Sequence, residues 1–172
     1  MPVRQPLPQR LPHLWLLSDA RNDAVLERAL RRLPRASGFV FRHYHLPAPQ
    51  RRARFARLLR LARARGHVAL LADAAPTARR WGADGNYGPA GMLATAHSLR
   101  ELARVNRSRA AAVLLSPVFP TRTHPGAPVL GPLKFRLLAA RSRVPVVALG
   151  GMNPATARRL GWPRWAAIDG LS

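Results

Sequence analysis

Pro145-Val146-Val147-Ala148-Leu149-Gly150-Gly151-Met152-Asn153-Pro154 reads as a buried strand that breaks into two glycines and then a helix. Its residues from Val146 to Leu149 are all apolar, as in a parallel strand covered on both faces. Paired glycines let a ligand approach the backbone, and N–H groups at a helix start are disposed to meet an anion. Pro154 falls in the first helical turn, where proline is tolerated. The stretch therefore reads as a phosphate-binding turn. The competing reading is an ordinary tight βα connection, in which one glycine is common and two are less so.

Outward from it, short apolar runs alternate with helical patterns. Strands are expected over residues 14–17, 38–44, 68–72, 85–87, 93–96, 111–115, 145–149 and 165–169. Helices are expected over 24–33, 51–65, 77–81 and 98–105, then from the end of a turn-rich stretch at 116–131 to about residue 141, and again from Pro154. Strands alternating with helices argue for a parallel sheet, and eight of them for a TIM-type (β/α)8 barrel. A doubly wound open sheet has the same periodicity and is the competitor. The barrel domain is assigned to residues 14–172, after a loose leader at 1–13 and lacking the last helix.

With 172 residues and 48% apolar content, the chain fits one domain with a real core. The formal charge is +22, and Lys134 is the only lysine among 29 basic residues. Such a charge could attract nucleic acid. The arginines are spread along the chain, however, and a bias this complete fits codon composition, so a basic solvated surface is the preferred reading. Residues 51–65 illustrate it. Phe55, Leu58, Leu59 and Ala62 recur at helical spacing, while Arg51, Arg52, Arg54, Arg60, Arg63 and Arg65 fall mostly elsewhere, with no interleaved aromatics for stacking bases. Cysteine is absent, which excludes disulfides and thiolate chemistry. No apolar run reaches the roughly 18 residues of a membrane span, and the start does not read as a signal peptide. A cytoplasmic protein is expected.

Three further places carry chemistry. Ser116-Pro-Val-Phe-Pro-Thr-Arg-Thr-His-Pro-Gly126 leaves a buried strand as a long, proline-stiffened loop rich in hydroxyls. His97 and Glu101 stand four apart at a helix start, where Ser98 could simply cap. Asp73, ending the third strand, could ligate Mg²⁺, although an aspartate there, like Asp19 after the first strand, is more often a cap.

Taken together, three stretches resemble the thiamine phosphate synthase/TenI family: Ser116 to Ala127, Pro145 to Met152, and Ala167-Ile-Asp-Gly-Leu-Ser172. Trp81-Gly-Ala-Asp-Gly85 is similar to that family's approach to the fourth strand. The resemblance implies a barrel joining hydroxymethylpyrimidine diphosphate to thiazole phosphate, with release of pyrophosphate. It implies thiazole phosphate at Gly150, Gly151 and Gly170, and Mg²⁺ at Asp73. The catalytic set would be Arg42, His97, Ser116, Thr121, Thr123 and His124. The partners would be small phosphorylated precursors, with no membrane and, despite the charge, no nucleic acid. Homo-oligomerisation is left open. The chain departs from the synthase pattern at three points. The glutamine and lysine expected around Arg42 are missing, Tyr87-Gly88-Pro89-Ala90 offers no carboxylate, and His124 replaces a lysine. A TenI-like protein that binds thiazole phosphate, as a tautomerase or without catalysis, is the close alternative. Its catalytic histidine, though, would stand where Pro117 does.

Overall fold

Runs such as Val68-Ala-Leu-Leu71 form strands because apolar side chains can be buried on both faces of a pleated backbone. The computed structural model describes residues 11–122, 126 and 128–171. Its strands are β1 (Leu14–Leu17), β2 (Gly38–Phe41), β3 (Val68–Leu71), β4 (Gly85–Asn86), β5 (Leu93–Ala96), β6 (Ala112–Leu115), β7 (Val146–Ala148) and β8 (Trp165–Ala167). The helices between them are α1 (Leu26–Arg32), α2 (Ala48–Ala64), α3 (Ala75–Arg80), α4 (Leu99–Arg107), α5 (Gly131–Ala139) and α6 (Pro154–Leu160). A 3₁₀ turn at Ala20–Val25 precedes α1, and another at Asp169–Leu171 follows β8.

All eight strands pair in parallel, in the order β4-β3-β2-β1-β8-β7-β6-β5. A parallel bridge between Tyr87 and Leu93 joins the two end strands, and Gly88 N–H donates to Leu93 O at 3.3 Å. That seam decides for a nearly closed barrel over an open sheet. It is also irregular, because β4 and β5 are linked by residues 87–92 without a helix. Parallel neighbours ordinarily need a crossover. Here β5 begins at the level where β4 ends, so the chain never has to return. Asn86 closes the gap: its Oδ1 accepts from Met92 N–H at 3.0 Å and its Nδ2 donates to Asp73 O at 3.3 Å.

Alternation along the strands makes two cores. Trp15, Leu17, Val40, Leu70, Leu93, Leu114 and Val147 fill the barrel interior. Leu16, Phe39, Phe41, Ala69 and Leu71 face outward to α1 and α2, and Val113, Leu115 and Ala148 to the helices of the second half. Trp15 fits because its partner in the ladder is Gly38; a Cβ there would stand 2.1 Å from the indole. The indole N–H donates to Pro12 O, and Trp165 N–H donates to His13 O at 2.9 Å, so residues 12 and 13 are tied to the floor of the barrel.

Buried histidines pin the first half. The ring of His67 accepts from Ser37 N–H at Nδ1 and donates to Leu30 O from Nε2, a pattern only the neutral ring can make. His43 accepts from the Ser18 hydroxyl and donates to Asp23. Burial is the largest influence on both rings and pulls both below the ordinary histidine value.

Two outcomes are expected. Gly38→Ala should cost about 1–3 kcal/mol, measured by denaturant unfolding, because the methyl group has no room beside a fully enclosed indole. Stability should also fall with acidification. A histidine whose folded value is depressed contributes its full stability above the unfolded value near 6.5, and loses it as pH drops below that. Unfolding midpoints at about pH 7.5 and pH 5.5 read this loss, and His67→Asn should flatten the slope.

Candidate functional site

Strand alternation places the site. On β2, Val40 points inward and Phe41 outward, so Arg42 continues the inward set onto the rim. On β5, Leu93 leads in the same way to Thr95 and His97; on β6, Leu114 leads to Ser116. These residues line a cavity of about 760 Å³ at the C-terminal ends of the strands, a size suited to a small ligand. Thr121, Gly150, Gly151 and Gly170 line it too. Of the residues singled out from the sequence, Arg42, His97, Ser116, Thr121 and the three glycines therefore meet in one place. Thr123 and His124 lie outside the described residues. Arg122, Tyr44, Tyr87 and Asp169 also line the cavity, although the sequence reading did not select them.

Arg42 is held in position. Its Nε donates to Ser18 O at 2.8 Å, its Nη2 to Asp19 at 2.9 Å, and its backbone N–H to the Ser18 hydroxyl. The next residue, His43, has a φ of 39°, a left-handed conformation that non-glycine residues seldom take. Its ring contacts to Phe41, Ser18 and Asp23 hold it there, and the turn carries Tyr44 to the rim. Burial pushes the Tyr87 hydroxyl up, with the Arg42 charge opposing.

His97 lies against Ser116. Its Nδ1 is 2.9 Å from Ser116 O and 3.1 Å from Ser116 Oγ. A carbonyl can only accept, so Nδ1 carries a proton and donates it to Ser116 O. Glu101 does not meet the ring. Its carboxylate accepts from His97 N–H at 2.7 Å while Ser98 caps Glu101 N–H, so the pair is the helix-start arrangement.

The paired glycines are required for a reason the sequence reading missed. A Cβ on Gly150 (φ +100°) would stand 2.6 Å from Pro117 Cα, and one on Gly151 (φ +61°) 2.4 Å from Pro120 O. One on Gly170 would stand 2.3 Å from Met152 O. The glycines let three rim loops press backbone to backbone, locked by Val118 N–H to Leu149 O and Phe119 N–H to Gly150 O. Nor does the start of α6 offer free amides. Asn153 Oδ1 accepts from Ala155 and Thr156 N–H, and Ala157 N–H donates to Asn153 O. The expectation of an anion at the helix start is corrected accordingly. Backbone donors toward the cavity can come only from the loop itself, where no described group accepts from Gly150, Gly151 or Met152 N–H.

Asp73 sits elsewhere. Its neighbours Ala69 and Leu71 face outward, and Asp73 shares that parity, so its carboxylate meets α2 rather than the cavity. Arg51 Nη1 donates to Oδ2 and Ala74 N–H to Oδ1, both at 2.8 Å. Burial alone would raise the carboxyl, but those hydrogen bonds outweigh it and hold the group below its ordinary value. Arg51, read from the sequence as mostly solvated, is 8% exposed. It stands four residues before Phe55, on the apolar stripe, and that spacing was the available signal. Asp73 therefore does not fit a magnesium role: both oxygens are occupied, and no group of three metal-ligating side chains exists among the described residues. Asp19 is the cap that the bland reading foresaw.

The thiamine monophosphate synthase family matches residues 90–166 of this chain. Among solved structures, thiamine phosphate pyrophosphorylase from Pyrococcus furiosus is similar with a TM-score of 0.75 and 25% identity, over 90% of this chain and 84% of that one. A native KDPGal structure (TM-score 0.62, 14% identity, 94% and 84% covered) shares the fold alone. So does a variant of the citrate synthase SbnG (TM-score 0.61, 9% identity, 92% and 87% covered). No curated protein sequence matches. No helix among the described residues is long and apolar enough to cross a membrane. The family match thus runs from before β5 into β8, and the barrel as a whole is similar to that of a solved thiamine phosphate pyrophosphorylase.

Proposed function

We propose that this protein joins hydroxymethylpyrimidine diphosphate to thiazole phosphate and releases pyrophosphate. The observation that carries the reading is the rim cavity in which Arg42, His97, Ser116, Thr121 and the Gly150-Gly151 loop converge. The loop amides without acceptors suit the thiazole phosphate. Arg42 and Arg122 suit the diphosphate, whose charge grows as it departs. In the reaction the bond between the pyrimidine methylene carbon and the diphosphate oxygen breaks, with its electron pair leaving on pyrophosphate. The thiazole nitrogen then supplies its lone pair to that carbon. No proton need move, so His97 acts through hydrogen bonding rather than as a base. Among the described residues no carboxylate at the cavity is left unpaired to hold Mg²⁺.

A second reading has one observation in its favour. Among the described residues lining the cavity the one carboxylate is Asp169, and it is already 3.3 Å from Arg21. A TenI-like protein that holds thiazole phosphate without joining it to pyrimidine would need none.

Purified protein supplied with both precursors should release pyrophosphate, followed by a coupled phosphate assay. Tight binding of thiazole phosphate with no release would favour the TenI-like reading instead. Gly151→Val should weaken thiazole phosphate binding by at least about tenfold, equivalent to about 1.4 kcal/mol, while circular dichroism keeps the barrel signature. Unchanged affinity in that variant would count against the loop as the phosphate site.

A further inference from the structure

All seven carboxylates of this chain are already committed. Asp19 and Asp169 hold Arg21 and, for Asp19, Arg42 as well. Asp23 and Glu27 hold Arg54, joined by His43 on the first and Arg57 on the second. Asp84 accepts from Ala69 N–H and Glu101 from His97 N–H. Asp73, the position where the resemblance implies a metal, is paired with Arg51.

That guanidinium is built in rather than resting on a surface. Its Nε donates to Arg42 O at 2.9 Å and its Nη2 to Ala72 O at 2.8 Å, so together with Asp73 all three nitrogens are used. The ring centroids of Tyr44 and Trp81 lie 5.6 and 5.5 Å from its central carbon. A cation within reach of two aromatic rings, with a carboxylate and two carbonyls at its edge, already supplies Asp73 with the positive charge that a divalent ion would bring. The carbonyl it grips belongs to Arg42, which lines the cavity.

We infer that this chain binds diphosphate without a divalent metal, with the Arg51 guanidinium standing in the metal's place beside Asp73 and fixing Arg42 as the cation that faces the ligand. Arg51 is a positioning residue; Arg42 and Arg122 carry the charge that meets the ligand. The inference rests on the phosphate-binding reading above and extends it from which ligand is held to how its charge is neutralised.

Inorganic pyrophosphate titrated into the full-length protein, by calorimetry in EDTA and again in millimolar Mg²⁺, tests it. Binding should be present in EDTA, and Mg²⁺ should leave it unchanged or weaken it by chelating the probe. Arg42→Met should lose at least about tenfold in affinity. Arg51→Met should lose affinity through Arg42 while a melting curve still reports a folded protein. Mg²⁺ alone should leave the melting temperature unchanged, whereas Asp73→Asn should lower it equally with Mg²⁺ or EDTA, because Arg51 then lacks its counter-ion. Pyrophosphate binding that requires Mg²⁺, or a melting temperature that Mg²⁺ raises in the native protein but not in Asp73→Asn, would overturn the inference and leave the proposed function standing. No pyrophosphate binding under either condition would overturn both.

Discussion

Side chains on a strand alternate between two faces, and a barrel closed from strands this short has almost no interior to spare. That constraint governs everything else in this molecule. One enclosed indole, Trp15, takes up so much of the cylinder that its ladder partner must be glycine. Near the seam, Met92 reaches inward across Gly85 in a similar way. The same alternation, carried one or two residues past each strand, decides which side chains meet a ligand. Arg42, His97 and Ser116 inherit the inward parity; Asp73 inherits the outward one and joins the helix layer.

A second constraint operates at the rim. Loops after β6, β7 and β8 touch backbone to backbone, and this is possible only where Cβ atoms are missing. The cavity floor is thus formed from peptide groups whose positions are set by loop contacts, with carbonyls turned into those contacts and amides left over. Electrostatics follow from composition. Against a net charge of +22, seven acids cannot neutralise the surface, and the fold uses each one to hold a particular arginine, histidine or backbone amide. What reaches the cavity is therefore mostly positive, which suits phosphorylated ligands.

Much of this was legible in advance. The eight strands lie where apolar runs placed them, with β1 and β5 matching residue for residue and the others shorter by one to three residues, at the rim end for β2, β3, β4 and β8, at the start for β6 and at both ends for β7. The residues chosen from the 116–126 loop, the glycine pair and Arg42 converge as far as they are described. Counting back four from Phe55 would have buried Arg51 without coordinates. The outward parity of Asp73 could not be counted in this way, because β3 is apolar on both faces and only the fold says which one meets the helices. The capping of α6 by Asn153 was also readable, since asparagine before proline is a strong cap signal.

The sequence by itself determined the layered architecture, because apolar runs of strand length separated by amphipathic helices can bury their surface in few other ways. It also determined which loop carries the glycines. Only the tertiary structure decided that the sheet closes, since closure depends on a stagger between β4 and β5 that no periodicity encodes. Only the tertiary structure, too, revealed what the glycines touch and where the acids are used. Both are contacts between segments far apart in the chain, set by how the barrel brings its loops together rather than by any local preference.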